Sequence, residues 1–136
     1  MNEQEIIEVI VRHYPGVQVI YLFGSSGTEH ETPDSDVDLA LLLPYSSASK
    51  EGPLPRSDCW SELTKVTQRP VDLIDLRKAD TVFQNEILRT GHVLLVKDED
   101  ARIEFEMLTL SLYQKLQEER SGILERILES KRVYNV

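Results

Sequence analysis

The chain has 136 residues, 40% hydrophobic and 29% charged, which suits one compact domain with a real core and leaves no room for a second full domain. A formal net charge of -9 opposes a phosphate backbone, so stable nucleic-acid binding is not expected and a basic protein partner fits better. The single cysteine, Cys59, excludes an internal disulfide and reads as packing. No apolar run is suited to a signal peptide or membrane span, so a soluble cytoplasmic protein is expected.

Ile6, Ile7, Val9, Ile10 and Val11 recur among glutamates between Asn2, a capping residue, and the stop Pro15-Gly16, which predicts a first helix. Val17 to Phe23 is β-branched and aromatic and ends at Gly24, a buried strand. Ser25 to about Glu31 reads as a short helix or turn closed by Thr32-Pro33-Asp34-Ser35. Asp36 to Leu43 begins polar and becomes wholly apolar, as a central strand does on entering a core. Tyr45 to Ser57 lacks an apolar period and reads as a loop.

A helix is expected from Ser57 to Thr67, with Trp60, Leu63 and Val66 on one side, and a strand from Val71 to Leu76. A helix capped by Asp80 and ending at Gly91 follows, then a strand from His92 to Lys97. Beyond Asp98 the spacing of Ile103, Met107 and Leu110 is helical, interrupted at Ser121-Gly122 before a second patch at Ile123, Leu124, Ile127 and Leu128. These elements predict an α+β fold: a mixed sheet of about four strands backed by helices, with residues 1–98 as the domain and 99–136 as a helical extension suited to a partner.

Asp36 and Asp38 stand two apart on a strand and share a face, where two like charges need a cation between them. Mg²⁺ binds one or two carboxylates together with substrate phosphates. A pair of this kind is by itself as consistent with a polar strand edge, but Gly24-Ser25 offers a turn with free backbone N–H groups for phosphate oxygens. Two-metal phosphoryl chemistry calls for a third acid, and Val71 to Leu76 offers Asp72 and Asp75 on opposite faces. If Val71 and Leu73 enter the core, Asp72 turns away from it. Asp72 is therefore preferred, and Asp75 reads as a strand-end acid.

Gly24-Ser25, ten residues, Asp36-Val37-Asp38 and the later VDLIDL together resemble the signature of the DNA polymerase β-type nucleotidyltransferase superfamily, over roughly Val17 to Val96. The stretch LFGS…TPDSDVDLALLL is similar to its minimal nucleotidyltransferase (MNT) members. The small acidic chain with a long C-terminal helix looks most like the antitoxins encoded beside a HEPN toxin, in type VII-like toxin-antitoxin pairs.

The resemblance implies a polymerase β-like fold and transfer of AMP from ATP to a tyrosine hydroxyl of the toxin ribonuclease, which is thereby silenced. It also implies two Mg²⁺ ions held by Asp36, Asp38 and Asp72, with Gly24 and Ser25 at the triphosphate and Asp72 orienting or deprotonating the hydroxyl. One position departs: many relatives carry Arg-Gly after the Gly-Ser turn where this chain has Thr28-Glu29, so a phosphate-facing cation would come from Lys50, Arg56 or Lys65. The same site would also suit transfer to a small molecule such as an aminoglycoside, or a vestigial site in an antitoxin acting by occlusion. His13, His30 and His92 have no zinc-ligand spacing.

Overall fold

The computed structural model describes residues 2–24, 35–45 and 57–134, the last three without their side chains. Helix α1 (Glu3–His13) starts at Asn2, whose side chain accepts from the Glu5 N–H, and it buries Ile6, Val9 and Ile10. Strands β1 (Val19–Phe23) and β2 (Val37–Leu42) follow, then α2 (Asp58–Thr67), β3 (Val71–Asp75), a 3₁₀ turn (Leu76–Lys78), α3 (Thr81–Thr90), β4 (His92–Val96) and α4 (Glu99–Tyr134). Ser57 caps α2, Asp80 caps α3, and Asp98 accepts from the Ala101 N–H at the start of α4, each satisfying a donor that the first helical turn leaves open.

The sheet is mixed, in the order β3-β2-β1-β4, with only β2 and β3 parallel. Alternation divides its side chains between two apolar layers. On one face Ile20, Leu22, Val37, Leu39, Leu41, Val71 and Leu73 pack against Ile6, Val9 and Ile10 of α1 and against Cys59 and Leu63 of α2. On the other, Val19, Tyr21, Phe23, Ala40 and Leu42 meet Leu76, Ile87 of α3 and Phe105 of α4.

Two expectations change. The helix after Asp98 is continuous through Ser121-Gly122 to Tyr134, because a single glycine costs an exposed helix only about 1 kcal/mol against alanine and nothing there adds a cap. Val66 of α2 is 38% exposed, and Cys59 takes the buried position beside Leu63. The turn expected at Ser25 to Glu31 and most of the loop after Tyr45 lie outside the described residues. Among the described residues no helix is long and apolar enough to cross a membrane.

Candidate active site

The Val37 N–H donates to the Pro70 carbonyl at 2.9 Å and joins the starts of β2 and β3, while the Trp60 indole N–H of α2 donates to the Val71 carbonyl at 2.7 Å and seats α2 against β3. The resulting register places Asp38 directly beside Asp72 in the parallel pair, and Phe23 directly beside Asp38 in the antiparallel pair. Because Val71 and Leu73 point into the layer under α1 and α2, Asp72 points to the opposite face, as does Asp38 between Val37 and Leu39. Phe23, Asp38 and Asp72 thus form a row across one end of the sheet. Asp36 stands exposed just before β2 at that same end.

Electrostatics mark Asp38 as the strained member. Partial burial raises its pKa above the ordinary carboxylate value, and the neighbouring charges of Asp72 and then Asp36 push it further the same way. Among the described residues no ion pair joins Asp38 or Asp72 to a cation. Nor do three acidic, histidine or cysteine side chains among them converge closely enough to enclose one ion.

Gly24 closes the row. Its φ of +73° is costly for any residue with a side chain, and a β-carbon built there falls 2.1 Å from Oδ2 of Asp38. The backbone after β1 therefore lies directly against the carboxylate. Gly91 plays a related part where α3 turns into β4: a β-carbon there would come within 2.6 Å of the Ile87 carbonyl and 3.1 Å of the Leu22 carbonyl. That contact seats the end of α3 against β1.

Asp75 accepts from the Arg77 N–H at 3.1 Å and caps the 3₁₀ turn, so it serves the chain reversal after β3. Lys65 belongs to α2, which covers the face opposite Asp38 and Asp72. His13 approaches Glu62 at 2.5 Å, joining α1 to α2, and His92 is exposed at the start of β4. Ser25, Thr28, Glu29, His30, Lys50 and Arg56 lie outside the described residues.

Phe83, in the first turn of α3, is 38% exposed with its ring edge-on to Phe23 at 5.7 Å between centroids. An aromatic wall thus borders the carboxylate row. Only the position of Phe23 beside the glycine turn hinted at it.

The arrangement offers hard oxygen donors around a partly buried carboxylate with backbone pressed against it, a setting for an oxygen-seeking divalent cation and a phosphate. A profile of the family described as "Polymerase beta, Nucleotidyltransferase" matches residues 4–100. The chain is 35% identical over 130 residues to the protein adenylyltransferase MntA of Shewanella oneidensis, covering 94% of this chain and 88% of that protein. A crystal structure of a toxin-antitoxin with AMP-PNP superposes with a TM-score of 0.74 at 31% identity, covering 94% of this chain and 99% of that one. A Shewanella oneidensis complex of a tri-AMPylated HEPN toxin with its MNT antitoxin superposes with a TM-score of 0.67 at 31% identity, covering 93% and 95%.

Proposed function

The chain belongs to the polymerase β-type nucleotidyltransferase family, and from that premise we propose that it is an antitoxin acting as a protein adenylyltransferase, moving AMP from ATP to a hydroxyl of a cognate HEPN toxin in the cytoplasm. The observation that carries the reading is the row of Asp38 and Asp72 with Asp36 at one sheet end, closed by the side-chain-free Gly24. The likeness to MntA and to the complex with a tri-AMPylated toxin names the acceptor class.

The donor set fits Mg²⁺, which needs only one or two carboxylates and completes its shell with water and phosphate oxygens, so three converging acids are not required. Asp36 and Asp38 would hold both Mg²⁺ ions and Asp72 would complete the second site; when bound, the ions would offset the triphosphate charge and lower the pKa of the attacking hydroxyl. The chain's own work is placement. Gly24, with Ser25 after it, would let the triphosphate approach the end of β1. Asp72, the exposed member of the row, would orient the acceptor hydroxyl and take its proton as its oxygen bonds to the α-phosphorus. The bond to the leaving pyrophosphate breaks in the same step.

Helix α4 would bring the acceptor protein. It leaves the end of the sheet far from the carboxylates, where Lys97 and Asp98 N–H groups donate to the Gln18 carbonyl, and passes Tyr21, whose hydroxyl donates to Glu106 at 3.0 Å. Leu116 then lines a groove together with Phe83, and the remaining turns run on for roughly 27 Å at 1.5 Å per residue. Those turns expose Ile123, Leu124, Ile127 and Leu128, an apolar surface suited to a protein partner.

The test is incubation with α-labelled ATP, Mg²⁺ and the toxin encoded by the adjacent reading frame. Label on the toxin, with a mass gain in whole AMP units, is the expected result. A stable complex without label would instead mean occlusion.

A further inference from the structure

A groove of about 640 Å³ runs between the start of α3 and the middle of α4, lined by Asp80, Thr81, Val82, Phe83, Glu86 and Leu116. It is joined to the carboxylates by an unbroken series of contacts: Phe83 against Phe23, Phe23 beside Asp38, Asp38 beside Asp72. We propose that this groove seats the acceptor segment of the partner protein, the stretch of polypeptide that carries the hydroxyl to be modified; the proposal rests on the transferase reading above.

Chemistry selects the occupant. The floor is apolar, with Val82 42% and Phe83 38% exposed, so it suits an aliphatic or aromatic side chain next to the acceptor residue. The rim carries two carboxylates. Asp80 is fixed by accepting from the Phe83 N–H at 2.8 Å, and Glu86 is shared with Arg89 at 2.7 Å. With one guanidinium against two acids, on a chain of net charge -9, the rim repels the phosphates of ATP and favours basic residues. The groove thus belongs to the acceptor and not to the nucleotide. It also lies where α4 passes the site, so a partner held by the distal turns of that helix would meet the groove before the carboxylates.

A second groove, lined by Leu88, Leu110 and Tyr113 among others, lies farther along the α3–α4 contact and supplies an internal control. Transfer of labelled AMP to the intact partner would be measured in the steady state for Val82→Asp and for Leu110→Asp, both at exposed positions. Val82→Asp should raise KM for the partner at least about tenfold while KM for ATP and kcat at saturating partner stay within about twofold; Leu110→Asp should change none of them. An unchanged KM for the partner in Val82→Asp, or an equal rise in Leu110→Asp, would overturn the assignment.

Should the aspartate disturb folding, a photocrosslinking residue at position 82 decides the matter. Crosslinks to the segment that carries the adenylylated residue support the groove, and crosslinks only elsewhere, or none, refute it. If the unaltered chain labels no partner, the transferase reading fails and the groove with it. If it labels the partner while the position 82 variants behave as the parent does, only the groove fails.

Discussion

The two faces of the sheet are built from the same strands and have opposite fates. Under α1 and α2, the alternate residues Val37, Leu39, Leu41, Val71 and Leu73 are closed over completely, and the surface charges of those helices pair with each other through Arg12, His13 and Glu62. On the reverse face α3 and α4 cover Tyr21, Ala40 and Leu42, yet the end bearing Asp38 and Asp72 is left open, with carboxylates facing carboxylates. One face holds the fold together. The other gathers Asp38 and Asp72, which no cation among the described residues pairs with, and such a cluster is where function is expected to reside.

That contrast is open to direct test, starting with the largest effect. Asp38→Asn should reduce AMP transfer by about 10²–10³-fold or more while leaving the melting temperature unchanged or higher, since it removes the carboxylate that its neighbours oppose. Thermal melts run beside the labelling assay would check both halves, and a variant that transfers normally would remove Asp38 from the site. Leu39→Ala, on the closed face directly next in sequence, should do the reverse. Opening a cavity at a fully buried leucine costs about 2–5 kcal/mol, read as a lower urea midpoint, with activity per folded molecule retained.

Gly24→Ala sits between these extremes. A positive φ costs a non-glycine residue about 1–2 kcal/mol, and the new methyl must push the Asp38 carboxylate aside, so a modest stability loss should accompany a fall in transfer of roughly tenfold or more. A stability loss without any change in transfer would show that the close approach of Gly24 is structural alone.

The smallest effect is a difference in sign with pH. Asp38 has its folded pKa above its unfolded value of 3.8, so it favours the fold at low pH and opposes it increasingly as pH rises from 3.8 through the folded value. Glu62 is held below its unfolded value of 4.5, first by the His13 hydrogen bond and then by that of Arg12; its contribution is present above 4.5 and is lost as pH falls through the folded value. In urea titrations from pH 3 to 7, the advantage of Asp38→Asn over the parent should therefore grow with pH. The deficit of Glu62→Gln should grow only up to about pH 4.5 and then level off.

Much of this was legible in the chain itself because it depends on neighbours in sequence. The caps Asn2, Ser57 and Asp80 and the passage of Asp36 to Leu43 from a polar start to a wholly apolar run are local signals, and so are the strand-ending glycine and the two acids two residues apart. The opposite facings of Asp72 and Asp75 follow from the alternation of a strand, and the structure has Asp75 end β3 and cap the 3₁₀ turn that follows.

What the sequence left undetermined are distances between segments far apart in the chain. That Asp38 falls beside Asp72 depends on the parallel register of β2 and β3, which begins at the Val37–Pro70 hydrogen bond. That Phe83 borders the site depends on how α3 crosses the sheet, which sets Gly91 against the Leu22 carbonyl. The unbroken α4 likewise contradicts the local cue of Ser121-Gly122, because the helix on either side propagates through a single weak position. Local chemistry chose the residues and their facings, and only tertiary packing decided which of them meet, since pairing and helix docking join residues by geometry that no sequence spacing encodes.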